Sequence, residues 1–365
     1  MKKICLIISL FILAGPSASA QGKTKNIVIV TLDGFRWQEM FRGADSVLAN
    51  RKDYNDDADG INKRFIAKSA DERRKKLLPF FWSTLVENGQ IYGNRDLGNI
   101  AEVSNPYKFS YPGYSEMFTG IPDPGVNSNN KVYNPNSNVL EYLNKQKGYE
   151  GKVIAFTSWD VFPYILNDKR SGIIVNSGIQ NLVLDKMSDR LSLLNELQKQ
   201  APGFISEDMR LDAITYQFAK QYMIDHKPGV IYIGLDETDD MAHMGNYKFY
   251  LQQAYKTDGM LADLWKYIQS DPFYKDQTTL IITSDHGRGE VPLETWRQHG
   301  IDIRGAEQIW FAVMGPDTPA KGELNTKTQI YQKQIAQTIS ELLGFDFKKS
   351  AGHEVADAIK SVTVK

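Results

Sequence analysis

The chain has 365 residues, of which 42% are hydrophobic and 24% are charged, and its formal net charge is −1 at pH 7. These proportions indicate a globular protein with a sizeable core, and the near-neutral charge predicts no nucleic-acid polymer as a partner. The one cysteine, Cys5, lies in the N-terminal segment described next. No disulfide is therefore expected, and the fold must rest on its hydrophobic core.

The N-terminal residues have the pattern of a secretory signal peptide. Two lysines follow the initiator methionine, an apolar stretch runs from Ile4 to Ala14, and a triplet of small residues ends at Ala20. The apolar stretch is too short to span a bilayer, and no later stretch approaches the roughly 20 apolar residues that spanning requires. We therefore expect residues 1–20 to be removed. The mature protein, 21–365, is predicted to be secreted or periplasmic, without a membrane span.

Short apolar runs rich in β-branched residues alternate with amphipathic segments along the mature chain. The apolar runs are predicted to be buried parallel strands: Asn26–Leu32, Lys152–Phe156, Val230–Leu235, Thr279–Ser284 and Ile309–Met314. The segments with apolar residues three and four positions apart are predicted to be helices: Leu77–Asn88, Asn138–Lys145, Leu211–Asp225, Tyr250–Gln269 and Gln329–Leu343. This alternation predicts an α/β fold with a doubly wound, mostly parallel central sheet flanked by helices.

Two stretches interrupt this alternation, the charged segment 42–76 and the segment 170–209. We predict that they are insertions in a single elaborated domain and that either can form a lid. Ligands of doubly wound sheets bind beyond the carboxyl ends of the strands. Polar residues that directly follow the predicted strands are therefore the first candidates for chemistry.

Two acids and a histidine stand at predicted strand ends. Asp33 follows the first strand and precedes Gly34, which permits a close approach of the backbone. Taken alone, an acid in this position is more often a helix or turn cap than a metal ligand. Asp285 and His286 are adjacent at the end of the fourth strand. This pair is the sharpest local signal, because neighbouring side chains there can serve two neighbouring metals.

Further ligand candidates follow the third strand and lie in a later loop. Asp239 precedes His243 by four residues, a spacing that one turn of helix would align. Asp236, closer to the strand end, is a rival to Asp239. His299 lies between polar and flexible residues and by itself would be a surface-loop histidine. Imidazole and carboxylate together form the ligand set expected for zinc with an open position, and they are compatible with manganese or iron.

The joint pattern resembles the alkaline phosphatase superfamily, most closely its type I phosphodiesterase/nucleotide pyrophosphatase branch, over nearly the whole mature chain. The resemblance is carried by Leu32-Asp33-Gly34, Lys108-Phe109-Ser110-Tyr111-Pro112, the spacing from Asp239 to His243, Ser284-Asp285-His286-Gly287 and Gln298-His299-Gly300. It implies two divalent cations, by default zinc. One would be held by Asp33, Ser110, Asp285 and His286, and the other by Asp239, His243 and His299.

The resemblance also implies that Ser110 is the nucleophile. Coordination to a divalent cation stabilises a serine alkoxide without a histidine base, so no Ser-His-Asp triad is needed. Without the ligand pattern, Ser110 would be interpreted as a turn residue before Pro112. The resemblance further implies that Asn130, which precedes Lys131, binds a phosphoryl oxygen, although the adjacent Asn129 leaves this register open. The expected reaction is hydrolysis of a small-molecule phosphate ester through a phosphoserine.

Three other functions stay open at this point: a phosphomonoesterase, a sulfatase-like hydrolase and a non-catalytic secreted metal-binding protein. A monoester phosphate usually requires extra cationic contacts, for which Arg288 and Arg297 are candidates. The segment 157–163 has no Lys-x-Arg clamp like that of some bacterial monoesterases, which favours diesters. A sulfatase-type motif would require an arginine where Tyr114 stands. A serine in the nucleophile position argues against the non-catalytic alternative, because it leaves the coordination open to substrate.

Overall fold

The computed structural model describes residues 22–201, 206 and 208–363, so the predicted signal peptide lies outside the described residues. The strands are β1 (Asn26–Leu32), β2 (Gly89–Tyr92), β3 (Ile100–Glu102), β4 (Val153–Thr157), β5 (Ile174–Ser177), β6 (Val230–Leu235), β7 (Thr278–Thr283), β8 (Phe311–Met314), β9 (Gly322–Glu323) and β10 (Gln329–Tyr331). Among the residues described, no helix combines the length and the apolar character needed to cross a bilayer.

The α-helices surround these strands. They are α1 (Trp37–Arg42), α2 (Ser46–Asn50), α3 (Ala58–Phe65), α4 (Ala70–Leu77), α5 (Val86–Asn88), α6 (Ser110–Thr119), α7 (Val139–Asn144), α8 (Phe162–Ile165), α9 (Asp168–Ser171), α10 (Asp189–Gln200), α11 (Asp212–His226), α12 (Glu237–His243), α13 (Tyr247–Ser270) and α14 (Gln334–Leu342). A π-helical turn, Phe81–Leu85, leads into α5, and three 3-10 turns lie at Arg95–Leu97, Leu293–Arg297 and Phe347–Lys349.

Eight strands form one sheet in the order β5-β4-β6-β1-β7-β8-β2-β9, and β10 and β3 form a separate parallel pair. Within the large sheet, β8 runs antiparallel to both of its neighbours, β7 and β2, and the other pairings are parallel. The predicted α/β fold with a mostly parallel central sheet is therefore confirmed. The prediction that β8 is parallel is wrong, because a short apolar run buried on both faces looks the same in either direction.

Two predicted helices are interrupted in the structure. The predicted helix Gln329–Leu343 begins as strand β10, which pairs with β3, and only its later part forms α14. The apolar spacing of Gln329–Leu343 fits a helix throughout, but the pairing of β10 with β3 overrides that preference in the first residues. The predicted helix Leu77–Asn88 breaks after α4 because Pro79 has no backbone N–H to continue the ladder, and the chain resumes as the π-helical turn.

Helices cover both faces of the sheet, and alternate residues of the central strand β1 face them. Val28, Val30 and Leu32 belong to the core on one face together with residues of α13, whereas Ile27 and Ile29 belong to the core on the other face together with residues of α6 and α14. A doubly wound sheet buries its central strands on both sides in this way. The helix that carries Ser110 is thus fixed against the sheet by packing.

The two segments predicted to be insertions differ in how they join the domain. Residues 42–76 contain α2, α3 and α4, and apolar side chains of α2 and α3, among them Leu48, Ile61 and Phe65, are buried in the core. Within 170–209, strand β5 pairs in parallel with β4, so this part of the segment belongs to the sheet. A lid function for either segment stays a prediction.

Candidate metal centre and nucleophile

The sheet brings together the residues that follow its three central strands. Strand β1 lies between β6 and β7, with Leu32 paired to Leu235 and Thr31 paired to Thr283. Because these strands are parallel, their carboxyl ends meet at one edge. Residues that directly follow β1, β6 and β7 therefore converge there, as the sequence predicts.

One ligand group, the buried half-site, consists of Asp33, Asp285 and His286. Its ligand atoms lie within 4.8 Å of one another, and all three side chains are buried. The Nε2 atom of His286 is 3.3 Å from Oδ1 of Asp33 and 3.5 Å from Oδ2 of Asp285. Its Nδ1 atom donates to the carbonyl oxygen of Gly287 at 2.9 Å. This bond fixes the ring so that Nε2 faces the two carboxylates.

A second ligand group consists of Asp239, His243 and His299, whose ligand atoms also lie within 4.8 Å of one another. It is called the exposed half-site after His243, whose side chain is exposed, whereas Asp239 and His299 are partly buried. Asp239 and His243 lie one turn apart on α12, as their spacing predicts, and Nε2 of His243 is 3.0 Å from Oδ2 of Asp239. The Nε2 atoms of the two histidines are 2.9 Å apart. Asp236, the rival ligand, precedes α12 as its N-cap residue and belongs to neither group.

Burial and mutual repulsion make the carboxylates of the buried half-site costly as bare charges. Burial and the charge of Asp239 raise the pKa of Asp33, and burial together with Asp33 raises that of Asp285. Burial lowers the pKa of His286, but the surrounding carboxylates outweigh it and raise the value to about 9. Oδ1 of Asp33 and Oδ2 of Asp285 are buried without a hydrogen-bond partner among the described residues. Buried carboxylates are costly unless paired or bound to a metal, so these donors fit a divalent ion.

Ser110 lies beside the buried half-site. It is the first residue of α6, its side chain is buried, and its Oγ atom is 3.3 Å from Nε2 of His286. The N-terminus of a helix carries partial positive charge and favours anions. A phosphoryl group that reached this serine would meet both the helix terminus and the ligand groups.

Asn129 and Asn130, which the sequence could not distinguish, have different contacts in the structure. Oδ1 of Asn129 accepts a hydrogen bond from the backbone N–H of Tyr111 at 3.0 Å, which places this side chain next to Ser110. Asn130 has an exposed side chain that lines a cavity of about 120 Å³ together with Tyr111, and its backbone N–H donates to Ser128. The contact beside the serine thus belongs to Asn129, one residue before the predicted position.

Tyr114 is a site residue that the sequence did not identify as such. Its hydroxyl donates to Oδ2 of Asp33 at 2.9 Å, and it lies four residues after Ser110 on α6. One helical turn places the side chains of Ser110 and Tyr114 on the same face of the helix. The four-residue spacing from Ser110 could therefore have identified Tyr114 as a site residue. Tyr114, which stands where a sulfatase-type motif would have an arginine, therefore hydrogen-bonds to Asp33.

The two arginines considered for substrate contacts are placed differently. Arg288 is fully buried and forms an ion pair with Asp239. Burial alone would raise the pKa of Asp239, but Arg288 and the neighbouring histidines hold it well below its usual value. Arg297 has no carboxylate partner among the described residues, and its guanidinium lies 5.6 Å from the ring centre of Tyr54. Of these two arginines, only Arg297 thus lacks a carboxylate partner among the described residues.

Comparison with known families decides the class of the protein. The family model for type I phosphodiesterase/nucleotide pyrophosphatase matches residues 109–342, which include Ser110 and both ligand groups except Asp33. The chain belongs to the type I phosphodiesterase/nucleotide pyrophosphatase family. No curated protein sequence gave a significant match to this family member.

Solved structures show that this phosphodiesterase-family chain has the alkaline phosphatase fold. Wild-type alkaline phosphatase PafA has a TM-score of 0.63 at 10% identity, with 95% of this chain and 100% of PafA covered. The lipoteichoic acid synthase LtaP from Listeria monocytogenes has a TM-score of 0.59 at 13% identity, covering 94% and 76%. A putative sulfatase from Bacteroides thetaiotaomicron has a TM-score of 0.56 at 12% identity, covering 91% and 73%. Family and fold together indicate a hydrolase of the metal-dependent alkaline phosphatase superfamily.

Proposed function

We propose that this protein is a two-metal phosphodiesterase that hydrolyses small-molecule phosphate esters through a phosphoserine at Ser110. The observation that carries the proposal is the position of the Ser110 hydroxyl, buried at a helix N-terminus 3.3 Å from His286 of the buried half-site. The exposed half-site adjoins it, since Nε2 of His286 is 3.8 Å from Oδ1 of Asp239. A divalent cation in each half-site, by default zinc, would supply positive charge to the serine oxygen and to the phosphoryl oxygens.

The protein groups have separate tasks in this proposal. The hydroxyl of Ser110 gives up its proton as its oxygen forms a bond to phosphorus and the bond from phosphorus to the leaving-group oxygen breaks, and the leaving group takes up a proton from solvent. Water then forms a bond to phosphorus as the bond to the Ser110 oxygen breaks, which releases a phosphate monoester and restores the serine hydroxyl. The first turn of α6 stabilises the negative phosphoryl oxygens by its partial positive charge. Asn129 holds its carbonyl oxygen on Tyr111, so its amide N–H₂ group, which has no partner among the described residues, is free to donate to a phosphoryl oxygen. Tyr114 keeps the Asp33 carboxylate in place.

The cations around the site support a diester rather than a monoester. Lys108 is 3.3 Å from Glu307, Lys131 is paired with Asp160, and Arg288 is paired with Asp239. A monoester phosphate carries up to two negative charges, whereas a diester carries one. Because these three cations already have carboxylate partners, we infer that the site is better matched to the single charge of a diester.

One observation favours a phosphomonoesterase as the second candidate. The guanidinium of Arg297 lacks a carboxylate partner among the described residues, and it comes two residues before His299 of the exposed half-site. An unpaired guanidinium there suits the second charge of a monoester. Sulfatase activity is disfavoured, because Tyr114 stands where the modification motif would need an arginine.

The test is a panel of an aryl diester, an aryl monoester and an aryl sulfate, assayed after metal loading and metal analysis. We expect the highest kcat/KM for the diester. A clear preference for the monoester, lost on Arg297→Ala, would assign a monoesterase instead. Turnover of the sulfate alone would place the protein with the sulfatases, and metal binding without any turnover would support the non-catalytic alternative.

We further propose that the protein acts outside the cytoplasm. This rests on the signal pattern of residues 1–20 and is tested by fractionating cells that express the full chain. Recovery of uncleaved protein from the cytoplasm would contradict it. Small-molecule substrates rather than nucleic-acid polymers are proposed from the near-neutral charge, and competition by nucleic acid in the diester assay tests this point.

A further inference from the structure

The side chain of Arg288 joins the chain segments that supply both half-sites. It follows His286 by two residues, and its side chain is fully buried. One end of the guanidinium forms an ion pair with the carboxylate of Asp239, in the exposed half-site. Its Nε atom donates to the carbonyl oxygen of Gly34 at 3.2 Å, next to Asp33 of the buried half-site.

The remaining donors of Arg288 complete the connection. Nη1 donates to the carbonyl oxygen of Arg297 at 2.6 Å, two residues before His299, and Nη2 also lies 3.3 Å from the carbonyl oxygen of Asp239. The guanidinium therefore contacts three ligand-bearing segments, and Arg288 itself extends from the fourth, which carries His286. A planar guanidinium with five N–H donors can satisfy such a set of acceptors at once, which an ammonium group cannot do in the same geometry.

Gly34 makes room for this arrangement. Its φ is +55°, in the left-handed region, and a Cβ atom there would lie 2.7 Å from Oδ1 of Asp239, 2.9 Å from Nε of Arg288 and 3.1 Å from Cε1 of His286. Any side chain at this position would displace the guanidinium, the carboxylate or the imidazole. The close contact at Gly34 therefore places Arg288 between the two half-sites.

We propose that Arg288 is a positioning residue that orients the Asp239 carboxylate and thereby sets the cation affinity of the exposed half-site separately from that of the buried one. This inference rests on the two-metal function proposed above. Groups that hydrogen-bond to metal ligands typically change metal affinity by about 10- to 100-fold when removed. The buried half-site has its own supports, since Tyr114 donates to Asp33 and the backbone N–H of Gly34 donates to Asp285 at 3.1 Å.

The test is cation binding by Arg288→Met and Arg288→Lys, measured by competition with a chelator for Zn²⁺ and by the visible absorption of bound Co²⁺. In Arg288→Met we expect one of the two cations to bind about 10- to 100-fold more weakly, with the other unchanged. The Co²⁺ spectrum of the weakened site should also change. Arg288→Lys keeps the positive charge but lacks the planar guanidinium, so we expect its loss of cation affinity to be smaller than that of Arg288→Met but still measurable.

Arg36 offers a matched control. It is also fully buried and paired with an acid, Glu39, at 2.5 Å, and it contacts the backbone carbonyl of Gly289, but it bonds to no residue of either half-site. Arg36→Met should lower thermal stability and leave both cation affinities unchanged in the folded protein. A general effect of losing a buried arginine would appear in both variants, and a positioning effect only at Arg288.

The inference is overturned if Arg288→Met binds both cations with wild-type affinity, or if it weakens both cations equally. Should Arg288→Met not fold, Arg288→Lys decides, because unchanged affinities and an unchanged Co²⁺ spectrum in that variant would contradict a positioning role. A folded wild-type protein that retains fewer than two cations would refute the proposed function itself, and this inference with it.

Discussion

The Nε2 atoms of His243 and His299 lie 2.9 Å apart, although 56 positions separate the two residues in the chain. Burial and the nearby His286 lower the pKa of His299, the direction that favours the neutral imidazole. Neutral imidazole is the form that binds metals. Two imidazole nitrogens and the Asp239 carboxylate facing one point are the arrangement expected around a shared cation.

The first prediction concerns this cation. The wild-type protein should retain two divalent ions per chain, and His299→Ala should retain one, because the exposed half-site loses one of its three ligands. Metal analysis after loading with zinc and desalting measures the difference. Thermal unfolding should also occur at lower temperature, since a bound cation stabilises the folded state.

His226→Ala is the control for this experiment. His226 lies at the end of α11, where it stacks on Tyr222 with ring centres 4.5 Å apart, and it belongs to neither half-site. This variant should keep both ions. Retention of two tightly bound ions by His299→Ala would show that His299 is not a ligand.

The second prediction is that Ser110→Ala loses most of its turnover while the fold and the metal content stay largely intact. The serine supplies the covalent step but only one of several ligands, so its loss should lower kcat by orders of magnitude. Rates on the best ester, circular dichroism and metal analysis test this together. Slow residual hydrolysis is compatible with the proposal, whereas a near-native rate at full metal content would contradict the assignment of Ser110.

Ser115 provides the comparison within the same helix. Its buried hydroxyl accepts a hydrogen bond from Asn134 at 2.9 Å, and Ser115 belongs to neither half-site. Ser115→Ala should cost about 1 kcal/mol of stability, as is typical of one lost hydrogen bond, with little change in rate. A rate loss as large as that of Ser110→Ala would indicate a general disturbance of α6.

The third prediction separates the two neighbouring asparagines. Asn129→Ala should lower kcat/KM more than Asn130→Ala, because Asn129 is fixed on the backbone of Tyr111 beside the serine. Loss of one hydrogen bond to a charged phosphoryl oxygen is worth about 1.5 to 3 kcal/mol. Steady-state kinetics on the diester measure both variants. A larger loss in Asn130→Ala would restore the register implied by the sequence resemblance.

The fourth prediction concerns a buried acid that belongs to neither half-site. Asp258 accepts hydrogen bonds from the backbone N–H groups of Phe80 and Phe81 at 2.8 and 3.0 Å, and burial raises its pKa to about 7. The folded state therefore binds this proton more tightly than the unfolded state, whose acid has an ordinary pKa near 3.8. The stability contributed by the protonated form is present below pH 4 and is lost as the pH rises to 7.

Asp258→Asn removes this titration. The free energy of unfolding of the variant, relative to that of the wild type, should rise between pH 4 and 7 by up to about 1.4 kcal/mol per pH unit. Urea denaturation of the metal-free proteins across this range measures it. Asp56→Asn is the control, since the exposed carboxylate of Asp56 is paired with Lys248, which lowers its pKa. A constant difference for Asp258→Asn over the whole range would refute the prediction.

Local spacing and strand patterns made much of the fold and of the candidate site predictable. The four-residue step from Asp239 to His243 depends only on the helical repeat. Asp33 and Asp285 follow runs of buried β-branched residues, and parallel strands bring such positions to one edge. The parallel sheet was also predictable, because alternating strands and helices are the local pattern of a doubly wound fold.

Contacts between distant segments determined what the sequence left open. Three features depend on which segment packs against which. They are the antiparallel direction of β8, the strand at the start of Gln329–Leu343, and the contact of Asn129 rather than Asn130 with the backbone of Tyr111. The ion pair between Arg288 and Asp239 and the hydrogen bond from Tyr114 to Asp33 also depend on long-range packing. An arginine that binds substrate and one that binds a ligand carboxylate look alike in a sequence. Burial distinguishes them, because a charge removed from water must find its partner within the protein.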